Sequence, residues 1–158
     1  MKNFFTKIVA VALSISTSIT FMACSSDKDD AIVSEPQLAV SESQLIGLWE
    51  MTEEIGYVSY NGQTQSAKLD EKGRMKIKSD YTCDVYEWNN NSKQYVKTSE
   101  KRTWSLSGNE FTLTINNSKI SKATIKSLTS TVLVMVVKEK DEKKGYETEL
   151  HSSWKRIE

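Results

Sequence analysis

From Leu48 to the end of the chain, apolar and polar residues alternate in short runs separated by turn signals. That is the period of half-buried strands rather than of helices. Trp49, Met51 and Ile55 alternate with Glu50, Thr52 and Glu54. Met75 and Ile77 alternate with Lys76 and Lys78, and Phe111, Leu113 and Ile115 with Thr112 and Thr114. Residues 81–88 are rich in aromatic and β-branched side chains, which favour strands. Residues 95–106, 119–128 and 131–137 continue the series. In the last run Tyr146, Leu150 and Trp154 face one way, with Glu147, Glu149 and Lys155 on the other side. The breaks fall at Asn61-Gly62, a strong two-residue hairpin signal, and near residues 71–73, 89–92, 107–109, 116–118 and 129–130. Eight or nine short strands with hairpin-length turns predict an antiparallel meander that closes as a barrel or packs as a sandwich. The strand order and the lack of long crossovers favour an all-β, up-and-down barrel. Residues 132–137 are apolar on both faces, so one face fills the interior and the other needs a cover or is an association surface.

Upstream the pattern changes. Ser41-Glu42-Ser43-Gln44 has the form of a capping box and predicts a short helical turn through Leu45-Ile46, ended by Gly47. Residues 25–40 are polar and acidic, carry the only proline, Pro36, and read as a flexible tether. Residues 8–23 are uncharged and follow a positive head that holds Lys2 and Lys7; the run stops at Ala23-Cys24. This is the layout of a cleaved export signal. The run carries Ser14, Ser16, Thr17, Ser18 and Thr20 and is shorter than the ~20 apolar residues a spanning helix needs. The expected organisation is therefore a signal at 1–23, a tether at 24–40 and one domain at 41–158.

Composition narrows the function classes. The chain has 21 basic and 21 acidic residues, and Lys2 and Lys7 belong to the leader, so the remainder is slightly acidic. Its lysines are scattered, which gives no electrostatic footprint for nucleic acid. Cys24 and Cys83 are the only cysteines, too few for a disulfide scaffold. Cys83 sits in a strand-like run and reads as a small buried hydrophobe. His151 is the only histidine, and nothing local supports a Cys83–His151 pair. There is no phosphate-binding glycine loop, nucleophile elbow or metal-ligand spacing. No enzyme activity, cofactor or metal is expected, and the acidic run Asp27, Asp29, Asp30 reads as a tag or solvated tail rather than a calcium site.

Phe21-Met22-Ala23-Cys24 resembles a bacterial lipobox, and Ser25-Ser26-Asp27-Lys28-Asp29-Asp30 resembles the acidic tag of surface-exported lipoproteins in one group of Gram-negative bacteria. The resemblance implies lipid on Cys24 and an outer-membrane anchor. The domain is then expected at the cell surface, with a periplasm-facing orientation as the alternative. Several acyl chains hold firmly where one alone holds weakly. Gly47-Leu48-Trp49, after a short helical turn, resembles the Gly-x-Trp of lipocalins. Residues 104–113 and 125–134 and the ending Trp154-Lys155-Arg156-Ile157 look like the corresponding stretches of small lipocalin-like bacterial lipoproteins. This second resemblance covers residues 45–158. It implies an eight-stranded barrel with Trp49 at the closed end under Arg156.

The strand phase then nominates an interior. Met51, Ile77, Phe111, Leu113, Leu150 and Trp154 are inward candidates, with small Thr148 and Ser152 in phase on the last strand. If Trp49, Met51 and Ile55 point inward, so does Glu53; if Trp104 and Leu106 do, so does Arg102. Charges inside a small barrel are costly unless paired or wetted. Such charges would orient the polar end of a ligand in a mostly apolar cavity, whereas a bulge would flip the phase. The expected activity is non-covalent binding of a small, mainly apolar molecule. The competing expectation is a filled barrel that binds a protein or glycan through its loops and through Tyr57, Tyr60, Trp88 and Tyr95.

Overall fold

The computed structural model describes residues 40–142 and 144–158; Cys24, the leader and most of the tether lie outside them. Among the described residues one helical turn, α1 (Glu42–Leu45), precedes ten strands. They are β1 (Gly47–Tyr60), β2 (Gln63–Leu69), β3 (Gly73–Ile77), β4 (Cys83–Asn89), β5 (Gln94–Lys97), β6 (Arg102–Ser107), β7 (Glu110–Ile115), β8 (Lys119–Leu128), β9 (Val132–Asp141) and β10 (Tyr146–Arg156). The capping box holds α1: the Ser41 backbone N–H donates to Gln44 Oε1 at 3.0 Å.

All the pairings are antiparallel, and the ten strands make eight legs of one meander. β1 is long enough to carry two partners. Its upper part, from Glu54 to Tyr60, pairs with β2, and its first four residues pair with β3. β2 and β3 are therefore one leg broken at residues 70–72. β5 and β6 likewise form one leg along β4. β5 lies against Tyr86–Asn89, Thr98 N–H bonds Val85 O at 2.9 Å, and the leg resumes where Thr103 bridges Thr82. Trp104 N–H continues this line to Tyr81 O at 2.9 Å. β7, β8, β9 and β10 follow in order, and β10 pairs with β1 along its length, so every leg has a neighbour on both sides. Several of the tight turns use residues that tolerate positive φ. Asn61 and Gly62, at φ 51° and 76°, make the type I′ hairpin between β1 and β2.

The lower end is packed and closed. Leu45, Trp49, Ile77, Trp104, Phe111, Ile125, Leu133 and Trp154 form its core. Trp49 is fully buried, and its indole N–H donates to Leu45 O at 2.8 Å. The Arg156 guanidinium lies 4.2 Å from the centre of the Trp49 ring. It also donates to Ile46 O at 2.6 Å, to Ser130 O at 2.8 Å and to Gln44 O, and so ties α1 and the β8–β9 turn to the last strand. Gly47 is required here for two reasons. Its φ of +150° suits glycine, and a Cβ would come within 2.3 Å of an Arg156 nitrogen and 2.7 Å of Glu158 O.

This geometry sets an order of costs measurable by urea unfolding. Trp49→Ala is expected to cost ~3–5 kcal/mol as a buried tryptophan deletion. Arg156→Ala is expected to cost about 1–3 kcal/mol, and a double-mutant cycle with Trp49 to show coupling of ~0.5–2 kcal/mol. Additive effects would show that ring and guanidinium do not act together.

Candidate functional site

Which residues line the interior depends on β1. Trp49 and Met51 point inward, opposite Arg156 and Trp154. Thr52 then has no partner in β10: Met51 pairs with Trp154 and Glu53 with Ser153, so the strand bulges by one residue. Thr52 Oγ1 donates to Ser153 O at 3.0 Å and holds the bulge. Beyond it the phase is inverted. Glu54 faces Ser152, a buried residue on the core side of β10, and Gly56 and Val58 follow on the same face. Glu53 and Ile55, in phase with Trp49 by simple alternation, turn outward instead. Glu53 sits on the outer wall in an exposed ion pair with Lys68 at 2.7 Å.

The other nominated residues divide by height. Ile77 and Phe111 are in the packed floor, with Phe111 against the Trp104 ring at 6.1 Å between centroids. Leu113 and Met51 are half-buried against it. Above the floor the inward surface turns polar. On β10, Thr148 and Ser152 are each 7% exposed and Leu150 is half-buried between them. Thr148 Oγ1 donates to Glu139 O at 3.4 Å, and Ser152 Oγ accepts the Trp154 indole N–H at 2.9 Å. Arg102 on β6 is also buried. It is held within its own leg by Glu100, Thr98 Oγ1 and the Glu100 carbonyl at 3.3 Å. Cys83 lies nearby, its thiol pushed up to about 12 by burial, with Arg102 opposing that shift. This thiol is inert rather than nucleophilic.

The residue that simple alternation misses is Glu54. It is 3% exposed, and its Oε2 has no hydrogen-bond partner. Burial, reinforced by the nearby Glu71 carboxylate, raises its pKa from 4.5 to about 7. The signal was present: Thr52-Glu53-Glu54 places three polar residues between Met51 and Ile55, where alternation allows two, at 52 and 54.

Among the described residues no group of His, Cys, Asp and Glu is arranged to hold a metal ion, and no helix is long and apolar enough to cross a membrane. A concavity of about 390 Å³ lies where β2 breaks from β3. Glu50, Lys68, Asp70, Lys72, Trp88 and Tyr95 are among its lining residues. Trp88 and Tyr95 already meet edge-on at 5.1 Å, with Lys72 over the first ring and Arg74 over the second.

A family model described as a lipocalin-like domain matches residues 45–135, from α1 into the middle of β9. The chain belongs to the lipocalin-like domain family. No curated protein sequence matches it. Among solved structures it is similar to lobster apocrustacyanin A1, at 14% identity and a TM-score of 0.47 over 73% of this chain and 62% of the lobster chain. It is also similar to bovine odorant binding protein in complex with a selenium-containing odorant, at 18% identity and a TM-score of 0.43, covering 78% and 77% of the two chains. The same bovine protein with its natural ligand gives 19% identity and a TM-score of 0.41, covering 78% of each. The chain thus spans under two thirds of the lobster protein. In this lipocalin-like barrel the Gly-x-Trp residues, Gly47 and Trp49, are those that close the floor. Glu54 belongs to the upper interior.

Glu54 makes stability depend on pH. Its folded pKa lies above the unfolded value, so the fold favours the neutral acid. Its contribution is complete below about pH 4.5, declines as pH rises to about 7, and is constant above that. Glu54→Gln is expected to remove this slope and to raise stability at pH 8 by about 2 kcal/mol, a value reduced for solvent screening. Parallel urea titrations at pH 5 and pH 8 would show it. An unchanged slope in the glutamine variant would mean that the carboxyl is solvated.

Proposed function

We propose that this chain is a membrane-anchored lipoprotein whose lipocalin-like barrel binds a small, mainly apolar molecule non-covalently. The observation that carries the binding half is the contrast between the two ends of the barrel. The floor is filled by tryptophan, phenylalanine and aliphatic side chains, whereas the inward face above it offers Gly56, Val58, Thr148, Leu150 and Ser152. Small side chains around a few polar groups suit a pocket for one small ligand, which an eight-stranded barrel is wide enough to hold.

Thr148 is the position to test, because Ser152 carries the indole hydrogen bond of Trp154 and its loss would confound the result. With the protein in lipid nanodiscs and empty nanodiscs subtracted, the wild type is expected to bind N-phenyl-1-naphthylamine. Thr148→Leu is expected to lose that binding with little change in urea midpoint. A filled barrel gives the opposite pattern: no probe bound by the wild type, and ~1–3 kcal/mol lost to overpacking in the variant. That outcome would favour the second reading, an interaction module that meets a protein or glycan through its loops and outer wall. The cleft beside Trp88 and Tyr95 is the observation that supports it.

The anchoring half rests on the lipobox-like segment ending at Cys24 and on the acidic residues after it, which point to lipid attachment in the outer membrane and display at the cell surface. Cys24→Ser is expected to leave an unprocessed precursor that takes up no labelled palmitate. Incorporation of label into the serine variant would refute anchoring at this residue.

A further inference from the structure

We infer that Glu54 is the recognition point for the cationic head of the bound molecule, so that the ligand is an apolar amine. The inference rests on the proposal that the barrel binds a small apolar molecule, and it names the chemistry of that molecule. Glu54 is 3% exposed on the inner face, and its Oε2 lacks a donor. A buried carboxyl oxygen without a donor is unfavourable and is made good by whatever supplies one.

None of the protein's own nearby groups donates to that oxygen. Ser152, directly across from Glu54, accepts the Trp154 indole N–H, and its hydroxyl makes no hydrogen bond to Oε2. Lys68, on the adjoining strand, pairs with Glu53 on the outer wall. Arg102, the buried inward guanidinium, is held by Glu100 and Thr98. The charged group that bears on Glu54 is itself acidic. Glu71 approaches from the β2–β3 break, and Glu139 stands in phase with the inward face of β9, with Lys119 near it. The surrounding wall of Val58, Leu150, Val137 and Met135 is apolar.

A ligand head that enters this setting must bring a hydrogen-bond donor and must tolerate negative potential. A carboxylate brings neither property. An alcohol brings only the donor. A primary ammonium brings the donor and the opposite charge, and a charge-assisted bond of that kind is stronger than a neutral one. An apolar tail then lies along the wall.

The test is isothermal titration calorimetry of the full chain in lipid nanodiscs, with empty nanodiscs subtracted, against decylamine, decanol and decanoate. At pH 8 decylamine is expected to bind at least about tenfold tighter than decanol, and decanoate most weakly. Alkylammonium stays charged as lysine does, so between about pH 5.5 and 8.5 the amine's affinity is expected to rise as Glu54 ionises, while the alcohol's stays level. Glu54→Gln, which retains the shape of the side chain, is expected to abolish the preference for the amine and to keep decanol binding. Equal affinities for amine and alcohol, tighter binding of decanoate, or a preference that survives Glu54→Gln would overturn the assignment while leaving a ligand-binding barrel in place. Absence of binding by all three would overturn both the assignment and the proposal beneath it.

Discussion

The interior of this barrel is decided by one unpaired residue. Thr52 has no partner in β10, and its hydroxyl is tied to Ser153 O instead. An extra residue in one strand of an antiparallel pair bends that strand and inverts the phase beyond it. At the same level β1 changes its other neighbour from β3 to β2, and the second leg breaks at residues 70–72. The bulge, the break, the outer cleft and the buried Glu54 carboxyl are therefore parts of one local event. The broken leg brings Glu71 toward Glu54, and the inverted phase brings Glu54 inside. Were Thr52 instead paired in unbroken alternation, Glu53 would face the core and lose Lys68, and Glu54 would lie on the outer wall.

Below the bulge the barrel follows ordinary rules of core packing. Three tryptophans are its largest side chains, and each places its indole N–H on an acceptor: Trp49 on Leu45 O, Trp104 on Lys78 O and Trp154 on Ser152 Oγ. Large amphipathic rings belong in a core only when that one polar atom is satisfied. Arg156 completes the floor from outside by covering the Trp49 ring and capping backbone carbonyls from two turns. Gly47 follows from that arrangement, since the guanidinium occupies the space a side chain would need. The Gly-x-Trp pair and the distant arginine are one packing unit.

The meander was readable because strand periodicity and turn chemistry are local. Asn61-Gly62, Gly108-Asn109 and Thr129-Ser130 all fall between strands, and β3, β7 and β10 show the burial alternation their sequences prescribe. What stayed hidden was non-local. The uninterrupted run 95–106 is two strands because its middle leaves β4 and returns to it at Thr82, a pairing set by the partner strand. The inversion in β1 is visible only as a register shift against β10, so a reading by strict alternation put Glu53 inside in place of Glu54. In β10, where no shift occurs, the inward positions of Thr148, Leu150 and Ser152 followed directly from the phase of Trp154.

The two buried charged residues on the inner wall, Arg102 and Glu54, have opposite characters, and the difference bears on what the interior recognises. Arg102 finds a carboxylate and a hydroxyl within four residues of itself, so its charge is balanced inside its own leg and its role is to hold that kinked leg together. Removing Glu100 would leave the buried guanidinium uncompensated, which makes the pair structural. Glu54 has no such arrangement. Its nearest charged influence is another carboxylate, and the fold deals with it by raising its pKa toward neutrality. A buried acid that must stay protonated to be comfortable is poised to ionise when a cation arrives. Among the buried polar side-chain atoms of the described residues, the one left without a partner is thus Glu54 Oε2, and it sits above the packed floor, where the side chains become small.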